Sequence, residues 1–490
     1  MRVLIVGCGY VGERTADLLH EAGHTVVGVT YSPESAARLA AEKPWQCAAC
    51  DISDAAAVAT LGAELGNFDA FIHCASSSKG GGEVYEAVYV AGLGHLIATF
   101  PGAFPLFTSS TSVYPQTDGS EVDESNAVEP AKDTGRLLRQ AEQIALAAGG
   151  GVARLAGIYG PGRSFVLKNL LEGKAGIEVT AEAPDGRFLN QIHRDDAAAA
   201  LAHLAATRSP GIFNVVDGSQ TTQRECLERL AVMFGVMPAS DRPPDPGGKR
   251  GWSHKRVSNS KLRMTGWQPK FPDYFHALHH DPDLAASILE LVMTERPAEF
   301  PRAENVVLIG LMGSGKSTVG RQVAHMLGFP LLDTDTLIIE SAKCSIPEIF
   351  AREGESGFRR RESAALRLLL GCRHHVIATG GGIVTQPRNR PLLRHLGFVT
   401  WLEADPVLLA RRTAANNDRP LLQGEEPPLQ KLQRLLAERS PLYQQLADLR
   451  IQTDDLSQEE SAYGIAESAR VYFARRRIAM ERLCPPPLMP

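Results

Sequence analysis

The stretch Val306-Val307-Leu308-Ile309-Gly310-Leu311-Met312-Gly313-Ser314-Gly315-Lys316-Ser317-Thr318 sets an apolar run directly before a GxxxxGK[ST] turn, and Val319-Gly320-Arg321-Gln322-Val323-Ala324 follows as the start of a helix. The order is strand, glycine turn, helix. Glycines let consecutive backbone N–H groups curl around phosphate oxygens, and the helix N-terminus adds its partial positive charge. Such a loop calls for a nucleoside triphosphate cradled by Gly313, Ser314, Gly315, Lys316, Ser317 and Thr318. Lys316 would reach the β- and γ-phosphates, and the Ser317 hydroxyl would complete a Mg2+ shell. The strand before it and the helix after it separate this turn from an ordinary glycine bend.

Around this loop lies a chain of 490 residues, a length that predicts two to four domains. With 44% hydrophobic and 22% charged residues, it has the composition of a globular protein with ample core material. A net charge of -5 gives no polybasic signature for nucleic acid or membrane lipid. The densest basic run, Arg475-Arg476-Arg477, reads as a solvated helix end. Eight cysteines without framework spacing predict a reducing, cytoplasmic setting, and the lone Cys47-Ala-Ala-Cys50 lacks the second ligand pair that a metal would need. The chain opens MRVLIVGCGYVG, a strand entering a glycine turn rather than a signal sequence, and no apolar run approaches the length of a membrane helix.

In that opening, Arg2 to Val6 reads as a buried parallel strand, Gly7-Cys8-Gly9-Tyr10-Val11-Gly12 as GxGxxG, Glu13 to Ala22 as a helix and Thr25 to Thr30 as the next strand. GxGxxG alone is weak; inside a βαβ unit it is the dinucleotide fingerprint, with the pyrophosphate over the helix N-terminus. After the second strand comes Thr30-Tyr31-Ser32-Pro33, with no acid until Glu34. That tilts the expectation from NAD towards NADP, although no arginine stands there for a 2′-phosphate. His279-His280 reads as surface histidines.

Further pieces are Asp51-Ile52-Ser53-Asp54, Ala70 to His73, Leu106 to Tyr114, Arg154 to Gly162, Ile192-His193-Arg194-Asp195-Asp196 and Phe213-Asn214-Val215. Together with the glycine turn they make Met1 to Leu278 resemble the extended short-chain dehydrogenase/reductase family, the sugar-nucleotide epimerases and dehydratases. The resemblance implies a Rossmann-fold doubly wound parallel sheet over residues 1–280, with NAD(P) against Gly7, Gly9, Tyr10, Val11, Gly12, Asp51 and Ile52. It does not carry the activity. The family's YxxxK pair, whose tyrosinate moves the proton that accompanies hydride, is replaced by Thr134 and Leu138. Ser110 stands where the family has its catalytic serine or threonine, and Tyr114 and Arg139 are the candidate stand-ins. Two readings stay open for this half: an active reductase or epimerase, and a non-catalytic module.

After Gly266 to Pro272 comes an amphipathic piece, Leu284 to Val292, and then Glu295-Arg296-Pro297-Ala298-Glu299-Phe300-Pro301-Arg302. Prolines among charges suit an extended spacer, so residues 281–303 are expected to link two domains. Beyond the phosphate loop, Phe329 to Leu332 reads as a strand ending in Asp333-Thr334-Asp335, and two carboxylates two apart at a strand end face one cleft. Phe358-Arg359-Arg360-Arg361-Glu362 falls on a helix. The strand from His375 to Thr379 opens into Gly380-Gly381-Gly382, which lets backbone approach a ligand. Arg419-Pro420-Leu421-Leu422 reads as part of a lid, and Arg439-Ser440-Pro441-Leu442-Tyr443 as the beginning or the end of a helix.

In this order after a phosphate loop, these pieces resemble the shikimate kinase family over about Asn305 to Arg475. The resemblance implies a P-loop NTPase domain of the nucleoside-monophosphate-kinase-like kind over 304–478, a parallel sheet with helices on both faces, before a structureless tail at 479–490. It also implies roles: Asp333 beside Ser317 on Mg2+, Asp335 facing the acceptor hydroxyl, Arg359, Gly381 and Arg439 gripping shikimate, and Arg419 closing on the phosphates of ATP. Lys316, Asp335 and Arg419 would carry the catalysis. The chemistry supports such roles independently, because phosphoryl transfer needs charge neutralisation and an aligned acceptor, and a small acid calls for bidentate arginines. The alternatives are another hydroxy-acid kinase of the same fold, such as one acting on gluconate, and a nucleotide-dependent switch.

Overall fold

The computed structural model describes residues 1–76, 82–126, 128–130, 132–245, 252–297, 300–414 and 426–483, the last six as backbone alone. The chain divides into two compact units. One comprises Met1–Phe165, Gly176–Cys226 and Ser240–Ala277; the other comprises Val166–Ala175, Leu227–Ala239 and Leu278 onward.

The first unit is built on seven strands: β1 (Arg2–Val6), β2 (Thr25–Thr30), β3 (Gln46–Ala49), β4 (Ala70–His73), β5 (Phe104–Ser110), β6 (Gly151–Leu155) and β7 (Gly211–Val215). They lie in the order β7-β6-β5-β4-β1-β2-β3, every neighbour parallel. Val3, Leu4, Ile5, Phe71, Ile72, Val152 and Ala153 are fully buried, as a parallel sheet covered on both faces requires. The order reverses between β1 and β4, so the crevice at their carboxyl ends is the topological switch point of a doubly wound sheet. The turn from Gly7 to Gly12 opens into it. From there the chain enters helix α1 (Gly12–Glu21).

The second unit has five strands: β8 (Val306–Ile309), β9 (Leu331–Asp333), β10 (Val376–Ala378), β11 (Phe398–Glu403) and β12 (Leu449–Gln452). They are all parallel and ordered β9-β10-β8-β11-β12. Every residue of β8 is fully buried. Helix α2 (Lys316–Leu327) and the C-terminal helix α3 (Gln458–Leu483) supply Val319, Val323, Ala462 and Ile465 to the same core as Val306, Leu308, Val376 and Phe398.

Some segments differ from the sequence expectation. Leu284–Glu295 is a helix with Leu284, Ala285, Ala286, Ile288, Leu289 and Val292 buried, so packing orders much of the presumed spacer. Residues 479–483, expected without structure, continue α3 to Leu483. Arg439 to Tyr443 neither begins nor ends a helix; it lies within Pro428–Leu446, which accommodates Pro441 in its interior. Arg419 lies outside the described residues, and among those described no helix is long and apolar enough to cross a membrane.

Candidate active site

The phosphate loop leaves the buried end of β8 through three glycines in conformations that side-chain-bearing residues rarely adopt, Gly310 (φ +142), Gly313 (φ +82) and Gly315 (φ +89). Gly315 stands at the N-cap of α2, so the unsatisfied N–H groups of the first turn face the loop. The Lys316 ammonium donates to Gly310 O and Leu311 O, both at 2.8 Å. Ser317 Oγ donates to Asp333 Oδ2 at 2.8 Å, and Asp333 Oδ1 accepts from the Asp335 N–H at 2.9 Å.

That last bond corrects the sequence argument for Asp333 and Asp335. The strand ends at Asp333, which caps a helix starting at Thr334, so the alternation of a strand does not apply to the pair. A helix cap brings them to one cavity, with Asp335 in the first turn.

The triple glycine is explained by what crowds it. A Cβ on Gly380 would sit 2.5 Å from Glu362 Oε1 and 3.1 Å from Asp335 Oδ1, and one on Gly382 would sit 2.1 Å from Arg359 Nη1. Two carboxylates and a guanidinium therefore converge on a backbone that any side chain would push away. Gly380 N donates to Thr334 Oγ1 at 3.1 Å. Gly381 O accepts from Arg439 Nη1 at 3.1 Å and from the Tyr443 hydroxyl at 2.5 Å.

Arg359, Glu362 and Arg439 are each at most 5% exposed; Arg359 and Glu362 pair with each other, whereas Arg439 donates to the Gly381 carbonyl. Arg359 Nη1 donates to Glu362 Oε2 at 2.6 Å, and its Nη2 to Glu355 at 2.8 Å. Burial pushes the Glu362 carboxyl up to about 7 against the pull of Arg359, and the neighbouring Asp335 pushes the same way. Burial alone would lower the Arg359 guanidinium, but Glu362 and Glu355 outweigh it and hold it above its ordinary value.

These groups border one cavity of about 580 Å³. Its lining includes Gly313 through Thr318, Asp333, Asp335, Arg359 and Gly381, which brings together most of the residues selected from sequence; Arg439 meets it through Gly381 O. Sequence reasoning gave no role to Glu362 or Tyr443. For Glu362 a signal existed: Arg359 and Glu362 are spaced i,i+3 on one helix, which makes them neighbours.

In the first unit, the GxGxxG turn has the close approaches that the motif predicts. A Cβ on Gly7 would lie 2.3 Å from Ala75 N, one on Gly12 would lie 2.3 Å from Gly7 O, and one on Gly9 would meet none of the described residues within 4 Å. Gly7 and Gly12 serve the packing of turn and helix, whereas the Cα of Gly9 faces open space among the described residues. Tyr10 points its hydroxyl to Pro161 O at 2.9 Å. Asp51 accepts from Ser53 N at 2.9 Å, and Ile52 is 5% exposed. Cys47 and Cys50 are both free thiols.

The proton-transfer positions are as altered as the sequence suggests. Leu138 is buried on the helix Asp133–Ala147. Tyr114 is 1% exposed, donates to Asn214 Oδ1 at 3.0 Å and lies under the Arg154 guanidinium. Burial raises its pKa, the opposite of what a proton-shuttling tyrosinate needs. Arg139 is tied to Glu142, which also takes two bonds from Arg154. Ser110 Oγ accepts from Ser112 N at 3.2 Å.

Comparison with known proteins finds two families in succession along the chain. Residues 3–215 match the family model of the NAD-dependent epimerase/dehydratase family, and residues 312–470 match that of shikimate kinase. The shikimate kinase of Symbiobacterium thermophilum is 47% identical over 165 residues, 33% of this chain and 94% of that protein. A solved shikimate kinase from Acinetobacter baumannii in complex with shikimate is 41% identical, with a TM-score of 0.34, over 35% of this chain and 96% of that one. UDP-glucose 4-epimerase of Thermus thermophilus, solved with NAD, is 20% identical, with a TM-score of 0.49, over 59% of this chain and 99% of that one. The chain belongs to the shikimate kinase family through its C-terminal part, which follows a segment that matches the model of the NAD-dependent epimerase/dehydratase family.

Proposed function

We propose that the C-terminal unit transfers the γ-phosphoryl group of ATP to a ring hydroxyl of shikimate, giving 3-phosphoshikimate. The observation that carries this reading is the convergence of Asp335, Glu362 and Arg359 on the glycines beside the phosphate loop. A loop that only bound or hydrolysed nucleotide would have no use for a buried carboxylate and guanidinium cluster on its acceptor side.

The Ser317 hydroxyl and the Asp333 carboxylate, 2.8 Å apart, are hard oxygen donors at the loop, a set that suits Mg2+ completed by water and phosphate oxygens. Bound there, the ion would neutralise charge on the phosphates during transfer. Lys316 supplies the second positive charge on the travelling group. Asp335 aligns the acceptor hydroxyl and takes its proton as the oxygen–phosphorus bond forms, with ADP as the leaving group. Arg359 and Arg439 hold the substrate carboxylate and ring hydroxyls, and Glu362 keeps the Arg359 fork in place through its bond to Nη1. Arg419, outside the described residues, is the further cation assigned to the phosphates of ATP by the family resemblance alone.

The first unit, on this reading, binds NAD(P) against Gly7, Gly9, Tyr10, Val11, Gly12, Asp51 and Ile52 without ordinary turnover. In place of a tyrosine and lysine it has Thr134 and the buried Leu138, and Tyr114 titrates in the wrong direction to replace them. The test of the kinase reading is ADP release by the full chain with ATP, Mg2+ and one acceptor at a time. Release that depends on shikimate supports it. Equal release with gluconate, or release with no acceptor, would replace it by a related kinase or by a nucleotide switch.

A further inference from the structure

Gly381 is the point where the acceptor side of the cavity meets the phosphate loop. A Cβ placed on it would lie 3.2 Å from Gly310 O and 3.2 Å from Met312 N, so its backbone rests against the turn. Its carbonyl is held from the helix Pro428–Leu446, by Arg439 Nη1 at 3.1 Å and by the Tyr443 hydroxyl at 2.5 Å. The two donors stand four apart on that helix and share one face. A carbonyl oxygen offers two lone pairs, and these two donors take them.

The two donors differ in stiffness. Tyr443 is fully buried, and its ring stacks on Trp401 with centroids 5.6 Å apart. Trp401 lies on β11 opposite Ile309, the residue of β8 that leads into Gly310. Tyr443 is therefore tied to the strand that carries the phosphate loop, and its hydroxyl relates that strand to the acceptor side. Arg439 has a longer side chain with more rotatable bonds, and its Nε has no partner among the described residues. Burial pushes the Tyr443 phenol up to about 12, so the hydroxyl keeps its proton and donates at neutral pH. Without it, Gly381 O would rest on Arg439 alone, and the arginine assigned to shikimate would also have to hold the backbone.

We propose that Tyr443 is a positioning residue for the acceptor: its hydroxyl fixes Gly381 O, and through that carbonyl it holds Arg439 and the triple glycine where they grip shikimate beside the phosphate loop. The proposal rests on the kinase reading above. Tyr443 itself touches no substrate. It acts through Gly381 and Arg439, so its loss should be felt by the acceptor and not by the nucleotide, whose phosphates are cradled by the loop.

The test uses the full chain and the variant Tyr443→Phe, which keeps the ring on Trp401 and removes only the hydroxyl. ADP release is measured with ATP and shikimate varied in turn. The shikimate KM should rise about three- to fivefold, the worth of one hydrogen bond, while the KM for ATP stays as in the wild type. A merely structural hydroxyl would instead reduce the amount of active enzyme and leave both KM values where they were. An unchanged shikimate KM, an equal rise in both KM values, or a variant that loses ATP binding as well would each overturn the proposal. A wild-type chain without shikimate-dependent ADP release would overturn the kinase reading and the proposal with it, whereas an active wild type beside an unaltered variant would overturn the proposal alone.

Discussion

Both units place a glycine turn between a buried parallel strand and a helix, yet the surroundings of the two turns differ. At Gly310 to Lys316 the turn is ringed by charged side chains from three further segments: Asp333 and Asp335, Arg359 and Glu362, and Arg439 behind the triple glycine. At Gly7 to Gly12 a side chain at Gly9 would meet none of the described residues within 4 Å, but the helix that should bring the proton-transfer pair brings Thr134 and a buried Leu138. A phosphate-binding turn is thus a binding device. Whether it serves a reaction is decided by residues far away in sequence, and the two halves of this chain differ there.

The largest effect that would sharpen this contrast is within the kinase site. Asp335→Asn keeps the shape of the side chain and removes its charge, so kcat with shikimate should fall by roughly a hundredfold or more while the KM for ATP stays nearly constant. Arg439→Ala should behave otherwise, raising the shikimate KM by about tenfold with a smaller change in kcat, since it removes binding shared by ground and transition states. Steady-state kinetics with each substrate varied separates the two. An Asp335→Asn enzyme with near wild-type kcat would end the assignment of that carboxylate.

A smaller effect concerns stability. His395 in the second unit is fully buried; it is within 2.8 Å of Pro301 O through Nδ1, and its Nε2 has no partner among the described residues. Burial pulls its pKa from the ordinary 6.5 to about 4, against the hydrogen bond to Pro301 O and with smaller help from Arg373, Arg302 and Arg476. Between those values the unfolded chain takes a proton that the folded chain refuses. The contribution of His395 is therefore complete above about pH 6.5 and is lost as pH falls towards 4, by up to about 3 kcal/mol. Denaturant unfolding across this window should show a slope that His395→Gln flattens; an equal slope in the variant would count against a neutral His395.

Much of the architecture was legible because it rests on local signals. Both glycine turns, the strands that feed them and the glycines before Ile383 were readable from apolar runs and backbone demands. The Asp333 and Asp335 pair was found for an incomplete reason: a cap interaction, which strand periodicity does not describe, brings the two to one cavity. Glu362 received no role because a glutamate among arginines reads as surface charge until tertiary packing buries it. The segments 166–175 and 227–239 join the second unit although they lie within the sequence of the first, a placement set by contacts distant in sequence. The buried helix Leu284–Glu295 shows the same thing on a smaller scale, its amphipathic pattern visible but its packing partner not.

The central claim, that one glycine turn serves a reaction while the other only binds, is tested most directly by titrating the full chain with NADPH, following protein fluorescence and nicotinamide oxidation together. The account predicts saturable binding and no steady oxidation with ketone or sugar-nucleotide substrates. It also predicts that Gly9→Asp abolishes the binding while shikimate-dependent ADP release continues, because a side chain at Gly9 meets none of the described residues within 4 Å and its carboxylate would occupy the space left for the pyrophosphate. Steady NADPH oxidation that Gly9→Asp removes would contradict it, and Thr134 and Leu138 would then no longer mark the loss of an activity.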